Sequence, residues 1–191
     1  MLAGEMYNAV DESLIKELNR GRALVFEYNR IHPLKEAERH ALLKKLLGKT
    51  GENFQFIQPF YCDYGSNIEI GENFFVNFNF TVLDEAKVTI GNNVFIAPNV
   101  SIYTACHPIN PAERNTMVEY ALPVKIGDNV WIGGNVTIIP GITIGSNVTI
   151  GAGSVVVKDI PDNCVAVGNP CRVTKKLNAD DFKLDDFWKE R

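Results

Sequence analysis

Isoleucine–glycine pairs recur along this chain on a six-residue beat. They stand at Ile90-Gly91, Ile126-Gly127, Ile132-Gly133, Ile144-Gly145 and Ile150-Gly151, and isoleucine or valine holds the same phase at Ile96, Ile102, Ile138 and Val156. A second apolar series runs two residues ahead, at Val88, Val94, Val100, Val124, Val130, Val136, Ile142 and Val148. Side chains alternate faces along a strand, so in Val148-Thr149-Ile150 the two apolar residues share one face and the threonine takes the other. Gly151 follows, where a residue without Cβ lets the chain turn sharply. Three such units make one triangular coil of about 18 residues, and stacked coils pair at about 4.8 Å. One repeat cannot bury its apolar face alone; stacking fills the prism with residues worth roughly 1.5–3 kcal/mol each when buried. The pattern predicts a mainly β fold, a parallel β-helix. A sandwich of alternating strands explains the alternation but not the fixed phase from Ile126 to Val156.

The ends of the chain depart from the beat. Over residues 1–52 the apolar positions take helical spacing. Asp11 or Ser13 caps a first helix running to about Asn29, with Leu14, Leu18, Val25 and Phe26 as its stripe. Pro33 opens a second helix carrying Ala37, Ala41, Leu42, Leu46 and Leu47, and Gly48 stops it. This reads as a helical hairpin docked on the coil. The coil region, 53–177, starts with Ile68, Ile70, Phe74, Val76, Phe80 and Val82. From Val82 to Ile90 the interval is eight, which predicts a two-residue bulge or altered corner near Asp84-Glu85. From Ile102 the beat vanishes until Val124; within that excursion, about 103–125, the segment HPINPAERNTMVEYAL is polar, proline-bearing and aperiodic. It reads as a loop leaving the coil, where function commonly lies. The beat ends near Val156. The tail, 178–191, predicts a short helix anchored by Phe182, Phe187 and Trp188.

Composition narrows the class. At 191 residues and 46% apolar content the chain supports one sizeable core. A net charge of −4 argues against a general nucleic-acid binder. No leader and no membrane-spanning apolar run is visible, which favours a cytoplasmic location away from membranes. Cys62, Cys106, Cys164 and Cys171 form no CxxC pair, so a zinc or redox dithiol site is not expected and the thiols are taken as reduced. Cys164 and Cys171 are expected to pack near one another.

Chemistry is sought where the beat breaks. His107 lies five residues after Ile102, which gives it the outward phase of Thr149; Cys106 takes the inward phase. Neighbours on opposite faces cannot easily form a nucleophile–base dyad. Cys106 is therefore read as core and His107 as the reactive candidate, although by phase alone an ordinary loop histidine fits equally well. Trp131 also has outward phase, between inward Val130 and Ile132, and an exposed indole on a sheet points to a pocket or an interface. His32 and His40 fall in the helical hairpin, with no chemistry expected of them.

Several stretches resemble the maltose and galactoside O-acetyltransferases, acetyl-CoA-dependent hexapeptide-repeat enzymes. They are MLAGEMYNA at the start, CDYGSNI at 62–68, YTACHPINPAERN at 103–115, IGDNVWIGGNVTIIPGITIG at 126–145 and VGNPCRV at 167–173. The similarity runs from about Met1 to Leu177 and is nearer the maltose branch in the CDYG stretch and the loop. It implies a left-handed β-helix, a handedness opposed to the usual crossover rule and given by the resemblance alone. It also implies a homotrimer with sites between subunits, no metal, and acetyl transfer from acetyl-CoA to a hydroxyl of a maltose, glucose or galactoside type of sugar. His107 matches the family's catalytic histidine, a general base for direct attack on the thioester; such a base is worth roughly 10²–10⁴-fold in rate. Glu119, four residues before Pro123, would bind His107 Nδ1 and fix its tautomer, or else be a solvated loop carboxylate. Asn77, Asp63 and Glu85 align with acceptor contacts, and Trp131 with the acetyl or acceptor pocket. An N-terminal aspartate contact of the galactoside branch falls on Ala9, with Asn8 or Asp11 as substitutes. For coenzyme A the aligned positions are Gly134, Ala152, Val157, Lys158, Arg172 and Lys175, with a backbone N–H at Gly134 facing the oxyanion. The three basic residues suit phosphates, though Lys175 lacks the fork of the arginine seen in a relative; without the resemblance they read as a solvated face.

Three other readings stand beside this one. The β-helical carbonic anhydrases bind zinc through three histidines, but only one of three histidines here lies in the repeats. A non-catalytic scaffold has no need of the excursion around His107. The same chemistry on a xenobiotic, an amino sugar or a lipo-oligosaccharide is not separated by sequence, because acceptor choice lives in loop geometry.

Overall fold

The computed structural model describes residues 1–183; the expected anchors Phe187 and Trp188 lie outside them. From Phe54 to Val167 the chain winds as a parallel β-helix with three faces. The first face stacks Ile68–Ile70, Val88–Ile90, Val124–Ile126 and Thr143–Ile144. The second stacks Phe54–Phe56, Phe74–Val76, Phe95–Ile96, Trp131–Ile132, Val148–Ile150 and Cys164–Val167. The third stacks Phe60–Cys62, Phe80–Leu83, Ser101–Tyr103, Thr137–Ile138 and Val155–Val156. Both apolar series point inward, and Val88, Val94, Val100, Ile102, Val124, Ile132, Val136, Ile138 and Ile150 have no exposed surface.

The beat does not end at Val156. Ile160, Cys164 and Ala166 fill one further turn, short by two residues, after which Arg172–Lys176 folds back antiparallel on Cys164–Val167. An asparagine column measures the pitch. Asn53, Asn73, Asn93, Asn129 and Asn147 each donate Nδ2 to the Oδ1 of the next, ending on Asn163, at 2.6–3.0 Å with sequence steps of 20, 20, 36, 18 and 16. The second step carries the two-residue enlargement expected at Asp84-Glu85, the first carries an equal one at 63–67 that the sequence reading did not foresee, and the third carries the excursion.

The glycines of the Ile-Gly pairs do not make the turns. Asn73, Asn93, Asn129, Asn147 and Asn163 hold the left-handed backbone with φ of 54–57°, a conformation asparagine tolerates best among residues with a Cβ. Glycine is needed for stacking: a Cβ on Gly91 would stand 2.8 Å from the Gly127 carbonyl oxygen one coil on.

Helix α1, Glu12–Arg30, is capped by Asp11, whose carboxylate accepts from Ser13 N at 2.9 Å. It packs through Gly21, Leu24, Val25 and Tyr28. Phe26, expected in that stripe, is exposed under the Arg30 guanidinium, while Leu14 and Leu18 are half-buried. Helix α2, Glu36–Leu46, starts later than the sequence suggested, because His32–Lys35 forms a turn with Lys35 N donating to His32 O at 2.9 Å. Leu43 and Leu46 bury it against the first coil. A 3₁₀ turn, Ala179–Phe182, stands where the short terminal helix was expected, and Phe182 is exposed.

Candidate active site

The edge between the third and first faces is where the coil is irregular. Its first enlarged corner runs from Asp63 to Asn67 and its second from Asp84 to Lys87. Asp84 is fully buried and ties the two together. One carboxylate oxygen accepts the N–H groups of Asp63 and Tyr64 at 3.1 and 2.9 Å, and the other faces the Asn67 N–H at 3.4 Å. Burial outweighs these donors and raises its pKa to about 6. Glu85, also buried, is pushed up to about 8 by desolvation and then by the hydrogen bond and charge of Asp63. Asp63 meets the Arg22 guanidinium of α1 at 3.0 Å. That approach requires Gly21, where a Cβ would stand 2.8 Å from Tyr64 O.

At the third corner the chain departs. Thr104, wholly buried, donates its hydroxyl to Leu83 O at 2.7 Å and accepts from Ala86 N at 2.9 Å. Beyond it Ala105–Cys106 pairs antiparallel with Val118–Ala121, Cys106 opposite Tyr120. A short turn of helix, Pro111–Arg114, caps the hairpin, and Arg114 clasps the carbonyls of Pro108 and Ile109. A third strand, Tyr7–Asn8, adds to the outer side with Tyr7 opposite Glu119. Cys106 is therefore not core: the hexad phase has no meaning past Thr104, and the residue is half-buried on the hairpin. Desolvation still raises its thiol pKa.

His107 ends this strand with its side chain 55% exposed. Glu119 Oε1 faces it, but at 3.7 Å from Nε2 rather than in a hydrogen bond to Nδ1. The other oxygen, Oε2, accepts the Tyr7 hydroxyl at 2.8 Å. Asn8 and Asp11 are occupied locally: Asn8 Oδ1 accepts Val10 N, and Asp11 caps α1.

The remaining candidates lie elsewhere. Asn77, Gly134 and Ala152 lie at corners between the second and third faces, with the 97–99 corner intervening between those of Asn77 and Gly134. Gly134 O accepts from Gly153 N at 2.8 Å, but neither Gly134 N nor Ala152 N donates to a backbone carbonyl among the described residues. Trp131 borders this edge, 57% exposed, and pairs with the exposed Phe95. Val157 and Lys158 sit on the His107 edge, below the hairpin. Arg172 and Lys175 are on the terminal antiparallel strand, where Arg172 donates to Cys171 O at 2.7 Å and Lys175 is paired with Asp181. One chain therefore divides the candidates between two edges of the prism. Among the described residues no three His, Cys, Asp or Glu side chains gather as a metal site, and no helix is long and apolar enough to cross a membrane.

Residues 1–51 match the maltose acetyltransferase hexapeptide capping motif, and residues 123–158 match the bacterial transferase hexapeptide of six repeats. Galactoside O-acetyltransferase of Escherichia coli is 47% identical over 94% of this chain and 88% of its own. The chain belongs to the maltose and galactoside O-acetyltransferases. A maltose O-acetyltransferase from Clostridium difficile superposes on this acetyltransferase with TM-score 0.92 at 54% identity, covering 93% of this chain and 95% of that one. A galactoside acetyltransferase in complex with coenzyme A superposes with TM-score 0.91 at 46% identity, covering 96% and 93%.

Tyr7, Arg22, Asp84 and Thr104 of the acetyltransferase were not reached from its sequence. Tyr7 is 112 residues from the carboxylate it binds, and nothing in a six-residue period connects them. Asp84 did leave a signal, since it stands in the eight-residue interval.

Proposed function

We propose that the protein transfers an acetyl group from acetyl-CoA to a hydroxyl of a sugar of the maltose, glucose or galactoside type, with His107 as general base. The observation that carries this is the exposed imidazole on a hairpin outside the coil, with a glutamate carboxylate 3.7 Å from Nε2. That carboxylate favours an N–H on the nitrogen it faces and leaves the other nitrogen to accept the hydroxyl proton. The sugar oxygen attacks the thioester carbon as it loses its proton, the carbon–sulfur bond breaks, and the imidazolium returns the proton to the departing thiolate. The unengaged N–H of Gly134 suits the developing oxyanion, and that of Ala152 suits a pantetheine carbonyl.

Because His107 and Gly134 lie on different edges, the complete site forms between two copies in a homotrimer. The His107 edge of one chain meets the Asn77–Gly134–Trp131 edge of the next. Asp63 and Glu85 then face the acceptor from the first chain and Asn77 from the second. Val157, Lys158, Arg172 and Lys175 extend the donor side toward the coenzyme phosphates, Lys175 exchanging its Asp181 partner for one of them.

The test is thiol release from acetyl-CoA in the presence of glucose, maltose, galactosides and amino sugars. Wild-type protein should turn over a neutral sugar, and His107→Ala should lose roughly 10²–10⁴-fold in kcat with an unchanged melting temperature. Turnover of His107→Ala at the wild-type rate would remove the base; turnover restricted to amino sugars would change the acceptor class.

A further inference from the structure

We infer that Tyr7 is a positioning residue of the reaction, acting on His107 through Glu119; the inference rests on the function proposed above. The two short strands Tyr7–Asn8 and Val118–Ala121 put Tyr7 and Glu119 directly opposite one another. The phenol then donates to Glu119 Oε2 at 2.8 Å, while Oε1 is left toward His107 Nε2 at 3.7 Å. A carboxylate held at one oxygen has its rotation fixed, so the second oxygen has one direction to point.

The surroundings agree with this use. The Glu119 side chain is only 19% exposed, and among the described residues the Tyr7 hydroxyl is the one hydrogen bond its carboxylate has. Tyr7 in turn meets Glu119 from the hairpin and Glu85 and Tyr64 from the coil corners, all negative or neutral, which together with burial raise its pKa far above the ordinary phenol range. The phenol therefore stays a donor at any pH at which the enzyme works. Nothing else in the segment needs this residue: the hydrophobic core begins at Leu24, and the strand's own backbone pairing does not involve the phenol. The N-terminal segment thus serves as a splint, fixing from outside the coil a loop carboxylate that the excursion hairpin alone would leave free to turn.

A double-mutant cycle tests this, using the full chain with acetyl-CoA and the best sugar from the acceptor screen. Tyr7→Phe should lower kcat about tenfold, the value of one hydrogen bond to a charged group, with both KM values within about twofold of wild type. Glu119→Gln should lower kcat at least as much. The combined variant should be no slower than Glu119→Gln alone, because the phenol has nothing left to orient. Each variant should stay folded and unfold in a single transition, with Tyr7→Phe lowering the melting temperature by only a few degrees for the donor lost to Glu119. A wild-type kcat in Tyr7→Phe would overturn the inference. So would independent, multiplying losses in the combined variant, or a fall in Tyr7→Phe with none in Glu119→Gln. A wild-type rate in His107→Ala is a separate result and would instead remove the function on which the inference rests.

Discussion

The buried carboxylate of Asp84 accepts the backbone N–H of Tyr64 at 2.9 Å from the coil beneath it. The same group takes the N–H of Asp63 and faces that of Asn67, so one side chain satisfies a corner that is two residues too long for the repeat. Asp84→Ala leaves up to three buried donors without partners and should cost about 3 kcal/mol or more. Asp84→Asn keeps one acceptor oxygen and should cost less. Thermal or urea unfolding of both variants checks the order; equal losses would mean that the corner is held by something else. Because Asp63 and Arg22 are set by this corner, acceptor KM should rise in Asp84→Ala even below its melting temperature.

Stability should depend on pH through Glu85. Unfolded, it titrates at its ordinary 4.5; folded, burial and Asp63 raise it to about 8. Between those values the native state keeps a proton that the unfolded state has released. The protonated group's contribution is therefore fully present below about pH 4.5 and is lost as pH rises through about 8. Asp84, raised from 3.8 to about 6, works in the same direction. Asp11, Glu72 and Asp181 are held below their ordinary values, so their contributions change only in acid. Melting temperature should fall between pH 5 and pH 8 in wild type, and the slope should flatten in Glu85→Gln. An identical slope in the variant would show that Glu85 ionises freely in the fold.

How much of this was readable follows the repeat. Every residue whose place is set by the six-residue period, from Val88 to Val156, points where the sequence put it, because inward packing and coil pairing are both local and periodic. The reading failed where pairing ceased to be periodic. Cys106 was assigned by counting hexads through Thr104, yet there the chain exchanges coil neighbours for an antiparallel hairpin. Gly151 was credited with a turn that Gly153, with φ of 71°, takes two residues on, since a left-handed residue and a close-stacked one leave similar marks in a sequence. Phe26 shows the same limit in the helices: an apolar residue one turn-angle off the packed stripe cannot be told from a core residue without its partner surface. The candidate site was legible in its residue types, and its division between two edges was not, because the number of residues in each corner fixes an edge only once the coils are built.

Cys106 is adjacent to His107 and invites a thiol mechanism. Its thiol pKa is raised by desolvation, so it is less often the thiolate that nucleophilic attack requires. Tyr120, opposite it in the hairpin, lowers the thiol only in part. Cys106→Ala should keep most of the wild-type kcat. A well-folded Cys106→Ala protein without activity, or an acetylated Cys106 trapped in a quench, would restore the covalent route.

The two-edge arrangement makes a prediction that a site within one chain does not. His107 and Asn77 lie at different corners of the same coil stack, so a variant lacking one still carries the other intact. In the proposed homotrimer, His107→Ala and Asn77→Ala should each be slow. Co-expressed at equal levels, the two chains form mixed trimers in which about a quarter of the interfaces join an intact His107 edge to an intact Asn77 edge, if mixing is random and the ring closes with one heterologous contact per pair. Turnover per chain should therefore recover to about a quarter of wild type, with KM values unchanged. Separately purified trimers mixed without subunit exchange should show no recovery. If co-expressed chains sediment as mixed trimers and remain as slow as either parent, both residues serve the site of one chain, and the interface has no part in the chemistry.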